Sequence, residues 1–295
     1  MKRCSTILCA LIAILWISTT QVQAQETEYT DKDVEIFNNY VKAMNSKELL
    51  SIHDMLVETA KYFSNTPYVA GTLEKSPEHL IVNLREMDCT TIVENALALT
   101  YTLWEEDATF EAFCNTLRDI RYRNGEIKGY TSRLHYPTDW LYDNESKGWL
   151  EDVSQGVGGQ PYIPTVNYMS AHSEKYPMLA NNQPDIDAIK KQENIINERS
   201  YYYIPKEHID KVSDMIATGD VVLFTSATPG LDISHMGVTY WDEDKLTFIH
   251  ASTRDKKVVV NPTTIDAYTK NNKALTGIMI GRLIEKESDD SEMNQ

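Results

Sequence analysis

Apolar side chains recur at helical spacing in several stretches of the chain, and short apolar runs separated by turn residues replace them near its end. Between residues 89 and 104, Ile92, Val93, Ala96, Leu97, Thr100, Leu103 and Trp104 fall on a helical repeat. Asp88 stands just before it, where a capping carboxylate belongs. A second repeat covers 109–121, with Phe110, Phe113, Cys114, Leu117 and Ile120 on one face. Residues 30–44 and 46–63 are predicted as helices, each opened by a hydroxyl that can cap it, Thr30 and Ser46. From Gly219 onward the pattern changes. Residues 221–224, 235–241, 246–250, 257–260 and 277–283 are short, rich in β-branched side chains and separated by turn signals, which predicts strands. A short helix is predicted at 263–268.

Residues 122–205 show weak periodicity and many Tyr, Trp, Asn, Pro and Gly residues. Such a length is too great for a structureless loop inside a compact domain. The segment reads as an ordered insertion with one helix near 183–198. Helices first and an antiparallel sheet last make an α+β arrangement. Residues 25–283 are expected to form a single enlarged domain.

The two ends read differently. Lys2 and Arg3, an apolar run over 7–17 and then Val22-Gln23-Ala24 have the layout of a secretion signal cleaved after Ala24. The apolar run is far short of the roughly 20 residues that span a bilayer, so no membrane insertion is expected after cleavage. Residues 284–295 form an acidic tail that reads as solvated. The full chain of 295 residues has a formal charge of −16. Loss of residues 1–24 would leave 26 basic against 44 acidic residues. Such a surface excludes nucleic acid and anionic lipid as partners, because both need basic patches.

Cleavage would also leave two cysteines, Cys89 and Cys114. Cys114 lies on the apolar face of its helix and reads as a buried, inert thiol. Cys89 opens a helix, where free amides and the helix dipole favour a thiolate and can donate to an oxyanion. Two histidines stand on consecutive predicted strands, His235 at the start of one and His250 at the end of the next. A hairpin would bring them together, one imidazole facing the thiol and the other orienting it, as in a generalised triad. Spacing alone weighs this about equally against a buried cysteine with two unrelated strand histidines.

At these residues the chain resembles a known group. Asp88-Cys89, Gly219-Asp220-Val221-Val222-Leu223-Phe224, His235-Met236-Gly237-Val238-Thr239-Tyr240 and Ile249-His250-Ala251-Ser252, in this order, are similar to the NlpC-type papain-like cell-wall hydrolases. The likeness is closer to their relatives of the N-acetylmuramoyl-L-alanine amidase-like family, in which Gly71-Thr72-Leu73-Glu74, Asp88-Cys89-Thr90-Thr91, Arg133-Leu134-His135-Tyr136, Asp139-Trp140 and Gly230-Leu231-Asp232-Ile233-Ser234-His235 have counterparts. The resemblance implies a papain-like fold, Cys89 as nucleophile, His235 as base, His250 as orienting residue and Tyr68 near the oxyanion. Thr90-Thr91 departs from the Ser-Gly that commonly follows the cysteine, and Tyr68 lies further from it than usual.

Simple NlpC-type domains need a far shorter span than the 146 positions from Cys89 to His235. The insertion is therefore expected to wall the cleft. Asp88, Arg133, His135, Tyr136, Trp140, Asn167, Ser170 and Ser234 are the expected substrate-binding residues, with Arg133 for a stem carboxylate and the rings for a sugar face. No cofactor is expected, and no tight ligand spacing around His135 or His172 suggests a metal. The expected activity is a periplasmic, monomeric cysteine amidase cutting the N-acetylmuramoyl–L-alanine bond of soluble, anhydro peptidoglycan fragments, with a muropeptide as its partner. The alternatives are an endopeptidase cutting the stem after γ-D-glutamate and a non-catalytic muropeptide-binding protein.

Overall fold

The computed structural model describes residues 27–45, 50–104 and 108–285. The signal segment and residues 286–295 of the acidic tail lie outside them. The chain starts with α1 (Asp31–Met44) and α2 (Ile52–Tyr62), then α3 (Cys89–Trp104) and α4 (Phe110–Arg121). The insertion contributes α5 (Pro137–Ser146), β1 (Leu150–Asp152), β2 (Gln160–Tyr162), α6 (Tyr168–Ala171), α7 (Gln183–Asn197) and β3 (Tyr201–Pro205). After α8 (Ile209–Val212) come β4 (Val221–Ser226), β5 (Ile233–Asp242), β6 (Lys245–Ser252), β7 (Lys257–Val260), α9 (Ile265–Asn271) and β8 (Leu275–Leu283).

The strands pair antiparallel in the order β2-β3-β8-β4-β5-β6-β7, with β1 also on β8. The arrangement is α+β, and the helices and strands expected from the periodicity are present within a few residues of their predicted ends. Ser51 caps α2, its hydroxyl accepting from the Asp54 amide; Ser46, the expected cap, lies outside the described residues.

Both faces of the sheet are covered. Along β4, Val221 and Leu223 join the core shared with α2, α3 and α4, while Val222 and Phe224 point the other way, into a second cluster with Ile209 and Ile265. That is why 221–224 is a continuous apolar run and not an alternating one. Helix α3 is buried on every side from Thr91 to Thr102, as an all-round apolar helix must be. It lies between α2, α4 and the strands β5 and β6. Glu94 and Arg121 form an ion pair inside this layer at 2.7 Å, both almost fully buried, and Arg121 Nη1 donates to the Ile81 carbonyl at 2.6 Å.

The insertion is built into the sheet. Its β1 and β3 both pair with β8, on the far side of β4 from the histidine strands.

Candidate active site

Three chain segments converge on Cys89. The first is its own helix. Asp88 Oδ1 accepts from the Thr90 amide at 3.1 Å, the Thr91 amide at 2.9 Å and Thr91 Oγ1 at 2.9 Å. The Asp88 amide in turn donates to Thr91 Oγ1 at 2.8 Å. The expected substrate-binding carboxylate is thus a helix cap that fixes the direction in which Cys89 leaves the turn.

The second segment is the pair of central strands. Cross-strand pairing of β5 with β6 runs from Asp242↔Lys245 only as far as Val238↔Ile249. Beyond that point His235 and Met236 pair with β4, and His250 to Ser252 pair with β7. The sheet splits there, and the Met236 amide is released to donate to the Cys89 sulfur. Gly237 sits at the fork. A Cβ there would lie 2.8 Å from the Ile249 carbonyl oxygen and from the Phe248 ring, so a side chain would force the strands further apart. His235 Nε2 and His250 Nδ1 are 2.6 Å apart in a hydrogen bond. For His235 to present Nδ1 as a free acceptor, its Nε2 must carry the proton and donate to His250.

The third segment carries Tyr68. An isolated parallel bridge joins Tyr68 to Met87, and the Tyr68 amide donates to the Lys256 carbonyl at 2.9 Å. The 21-position offset in sequence between Tyr68 and Cys89 is thereby bypassed. Burial, and then the nearby charges of Cys89 and Asp88, push its phenol up to about 12.

The electrostatics differ from the sequence expectation. Burial pushes the Cys89 thiol up to about 12, with the Asp88 carboxylate adding to the rise and hydrogen bonds from Thr90 and the Met236 amide opposing it. Burial lowers His235 to about 3 and His250 to about 4. Desolvation outweighs the helix dipole here, so the thiol and both imidazoles rest neutral.

Several expected substrate contacts are engaged internally. Arg133 is 7% exposed and pairs with Glu74 at 3.0 Å and Glu78 at 3.3 Å. Its charge is already matched, which corrects the expectation that it waits for a stem carboxylate. Trp140 is 1% exposed and belongs to the core, so it offers no face to a sugar. Tyr136 is likewise buried. Its hydroxyl donates to Glu193 at 2.7 Å and accepts from the Met169 amide at 2.8 Å, a strut between α5, α6 and α7. His135 Nε2 donates to the Tyr130 carbonyl at 2.8 Å, and burial lowers its pKa to about 3. Ser170 gives its amide to Glu193 at 3.0 Å. Asn167 is exposed, and its amide meets the Gly230 carbonyl at 3.0 Å. Gly230 has φ +83°, and a Cβ would lie 2.3 Å from Asn167 Oδ1, so this junction between the insertion and the β4–β5 loop requires glycine. Ser234 is exposed beside His235.

Tyr268, on α9, is the site residue that the sequence reading missed. Its ring centroid lies 6.2 Å from that of His235 and 6.0 Å from that of His250, and its phenol is raised by burial and by the nearness of Cys89. The short helix around it was legible, but nothing in the sequence indicated that it packs over the histidines.

A family model described as N-acetylmuramoyl-L-alanine amidase-like matches residues 58–278. The chain belongs to this family. A solved N-acetylmuramoyl-L-alanine amidase from Bacteroides uniformis ATCC 8492 is 37% identical, covers 79% of this chain and 99% of its own, and superposes with a TM-score of 0.76. A Bacteroides fragilis structure described as a "putative xylanase" is 39% identical over 77% of this chain and 100% of its own, with a TM-score of 0.74. A protein from Legionella pneumophila str. Philadelphia 1, of the family called DUF1460, shares the fold at 20% identity, with a TM-score of 0.64 over 86% of this chain and 96% of its own. No curated protein matches the chain. Among the described residues no group of three or more His, Cys, Asp or Glu side chains is arranged to hold a metal, and no helix is long and apolar enough to cross a membrane.

Proposed function

We propose that this chain is a periplasmic cysteine amidase of papain-like, NlpC type. In this reading the signal is removed after Ala24, and the enzyme hydrolyses the N-acetylmuramoyl–L-alanine bond of soluble, anhydro peptidoglycan fragments. The observation that carries it is the hydrogen-bonded His235–His250 pair at the fork of β5 and β6, beside the thiol that opens α3, in a chain of the amidase-like family.

The chemistry follows from the neutral resting pair. His235 Nδ1 takes the thiol proton as the Cys89 sulfur attacks the lactyl carbonyl carbon, so that thiolate forms only as the new C–S bond does. The oxyanion is met by the Cys89 amide and by the Tyr68 phenol. His235 then gives the proton to the alanine nitrogen as the C–N bond breaks, which frees the stem peptide and leaves a thioester on Cys89. Water adds to the thioester with His235 again as base, and the thiol is restored. His250 acts through His235, holding its tautomer and its plane.

A glycosidase needs two carboxyl groups facing each other across the cleaved bond. The carboxylate beside Cys89 is that of Asp88, which is engaged by helix amides. The thiol–imidazole arrangement therefore favours acyl transfer.

Mass spectrometry of a soluble muropeptide mixture digested by residues 25–295 tests the reading. Intact stem peptide and free sugar are expected, with purified sacculi left almost untouched. Cys89→Ala is expected to lower turnover by at least about a thousandfold, with His235→Ala nearly as severe and His250→Ala milder. Products cut after γ-D-glutamate would replace the amidase with the endopeptidase. Near-wild-type turnover by Cys89→Ala would end the cysteine mechanism, and equal rates on sacculi would end the soluble-fragment specificity.

A further inference from the structure

Proton transfer from Cys89 in the amidase reading needs one proton arrangement in the two imidazoles. His235 must carry its proton on Nε2 and give it to His250 Nδ1, 2.6 Å away. The reverse arrangement makes the same hydrogen bond. His250 then donates from Nδ1, and His235 carries its proton on its own Nδ1, where it can take none from a thiol. The contact between the rings does not choose between the two. The choice falls to whatever meets the other nitrogen of His250.

That nitrogen, Nε2, is buried and has no close hydrogen-bond partner among the described residues. His250 and Asn261 line the same cavity of about 130 Å³. Strand pairing puts them on one face of the sheet: His250 pairs with Val259, and the Asn261 amide donates to the Phe248 carbonyl at 2.8 Å. Asn261 is therefore diagonal to His250, a separation that a long side chain can bridge. The other polar groups of Asn261 are already engaged. Its carbonyl accepts from Thr247 Oγ1 at 2.7 Å, and its Nδ2 donates to the Thr263 carbonyl at 2.8 Å and to Thr263 Oγ1 at 3.0 Å. A carbonyl can only accept, so the Thr263 contact fixes which end of the amide is NH2 and leaves Oδ1 free on the other.

We infer that Asn261 is a positioning residue of the site: its Oδ1 takes the Nε2–H of His250, and so fixes the tautomers of both imidazoles with His235 Nδ1 bare. The inference rests on the cysteine-amidase reading, in which that bare nitrogen takes the thiol proton. Burial lowers His250, and the Asp255 charge and the Asn261 side chain, acting as an acceptor, both oppose the fall. The other neighbours do not select a tautomer. Asp255 accepts from the Ser252 hydroxyl at 2.7 Å and pairs with Arg254 at 3.4 Å, so it acts as a charge and not as a hydrogen-bond partner. Tyr268 presents a ring to His250, with centroids 6.0 Å apart, and a phenol can donate as well as accept. When His235 becomes imidazolium, its Nε2–H pulls on His250 Nδ1 and makes Nε2–H more acidic, so the contact with Oδ1 strengthens as the reaction proceeds.

Nitrogen-shift NMR spectra of histidine-labelled protein separate protonated from bare ring nitrogens, with His235→Gln and His250→Gln for assignment. At neutral pH the wild type is expected to carry the proton of both residues on Nε2. Asn261→Leu, which keeps the volume and removes the acceptor, should mix the tautomers. It should also lower kcat on soluble muropeptides about tenfold, the worth of one buried hydrogen bond, with KM unchanged. Asn261→Asp retains an acceptor oxygen and should keep the wild-type tautomers and most of kcat. The same spectra show whether each variant is folded, and Asn261→Ala replaces the leucine variant if that one is not. A wild-type His250 protonated on Nδ1 overturns the assignment, as do wild-type tautomers or an unchanged kcat in Asn261→Leu. A wild type with the expected tautomers that frees no stem peptide overturns the amidase reading and leaves the hydrogen-bond assignment standing.

Discussion

At the scale of single residues, the site depends on which of two opposing effects governs a thiol at a helix start. The dipole of α3 and hydrogen bonds from Thr90 and the Met236 amide favour the thiolate. Burial and the Asp88 carboxylate oppose it, and they prevail, taking Cys89 up to about 12. With His235 held down to about 3, the protein at neutral pH keeps this proton on sulfur. Cys89 should therefore react slowly with iodoacetamide at pH 7, and the rate should climb through pH 9 without levelling off. A plateau reached by pH 8 would mean that His235 holds a preformed thiolate, and the neutral-pair account would fall. Cys114 offers an internal control. It too is a free thiol, and burial also takes it up to about 12, but it lies in the α4 face and stays protected until the chain unfolds.

At the scale of elements, α3 is placed by polar contacts as well as apolar ones. Glu94 and Arg121 are charges buried together between α3 and α4. Truncating one partner of such a pair strands the other in a dry interior, at about 3–5 kcal/mol. Arg121→Ala should cost that much in urea unfolding, and Arg121→Met combined with Glu94→Leu should recover most of it. If the single and double variants were equally unstable, the pair would be serving packing rather than charge balance. The cap is the second device. Asp88→Ala removes three acceptor contacts at the start of α3 and should cost about 1 kcal/mol, with a larger fractional loss of activity than of stability, because the turn it fixes aims the sulfur.

For the whole molecule, the insertion is support more than wall. Asp139 binds Arg123 at 2.6 Å and Arg199 at 2.7 Å. Glu193 ties Tyr136 to Ser170. Buried Asp232 accepts from the Thr138 amide at 2.9 Å and its hydroxyl at 2.7 Å, anchoring α5 to the chain three residues before His235.

This burial has a consequence for pH. His135 and His235 are lowered to about 3 and His250 to about 4. Above their ordinary value of 6.5 both folded and unfolded forms are neutral. As pH falls below it the unfolded chain takes up protons that the folded chain refuses, so stability declines between about 6.5 and 3. Asp232, raised to about 6, works the other way, because its folded form holds a proton that the unfolded chain releases. Glu78, Glu94 and Asp152, raised by burial, and His79, raised in spite of burial by its hydrogen bonds to Pro77 and Glu28, work with Asp232. The histidine contribution is therefore read as the slope of the urea midpoint between pH 7.5 and 4.5. His135→Gln, which does not touch the thiol, should reduce the slope by about one proton. An unchanged slope would show that His135 is protonated in the folded protein.

The local pattern of the chain was enough to find the helices that carry Cys89 and Cys114, the strands of the histidines and their order, because helical and strand periodicities are written in neighbouring residues. The pairing of the two imidazoles was legible too, since consecutive strands joined by a tight turn fold back on each other. What the sequence could not indicate was the dielectric. Arg133, Tyr136 and Trp140 have the side chains of a ligand-binding wall, and only packing shows that two of them are struts and one is core. The same is true of the thiol: the helix start at Cys89 argues for a lowered pKa, and its partial burial beside Asp88 raises it. Tyr268 and Arg254 came beside the histidines through the fold of α9 and the β6–β7 turn, contacts that no spacing encodes. Which residues can become elements is a property of the sequence over a few turns. Which of their polar groups face water, a partner or a ligand is decided when distant segments bury one another, because that burial sets both solvation and reach.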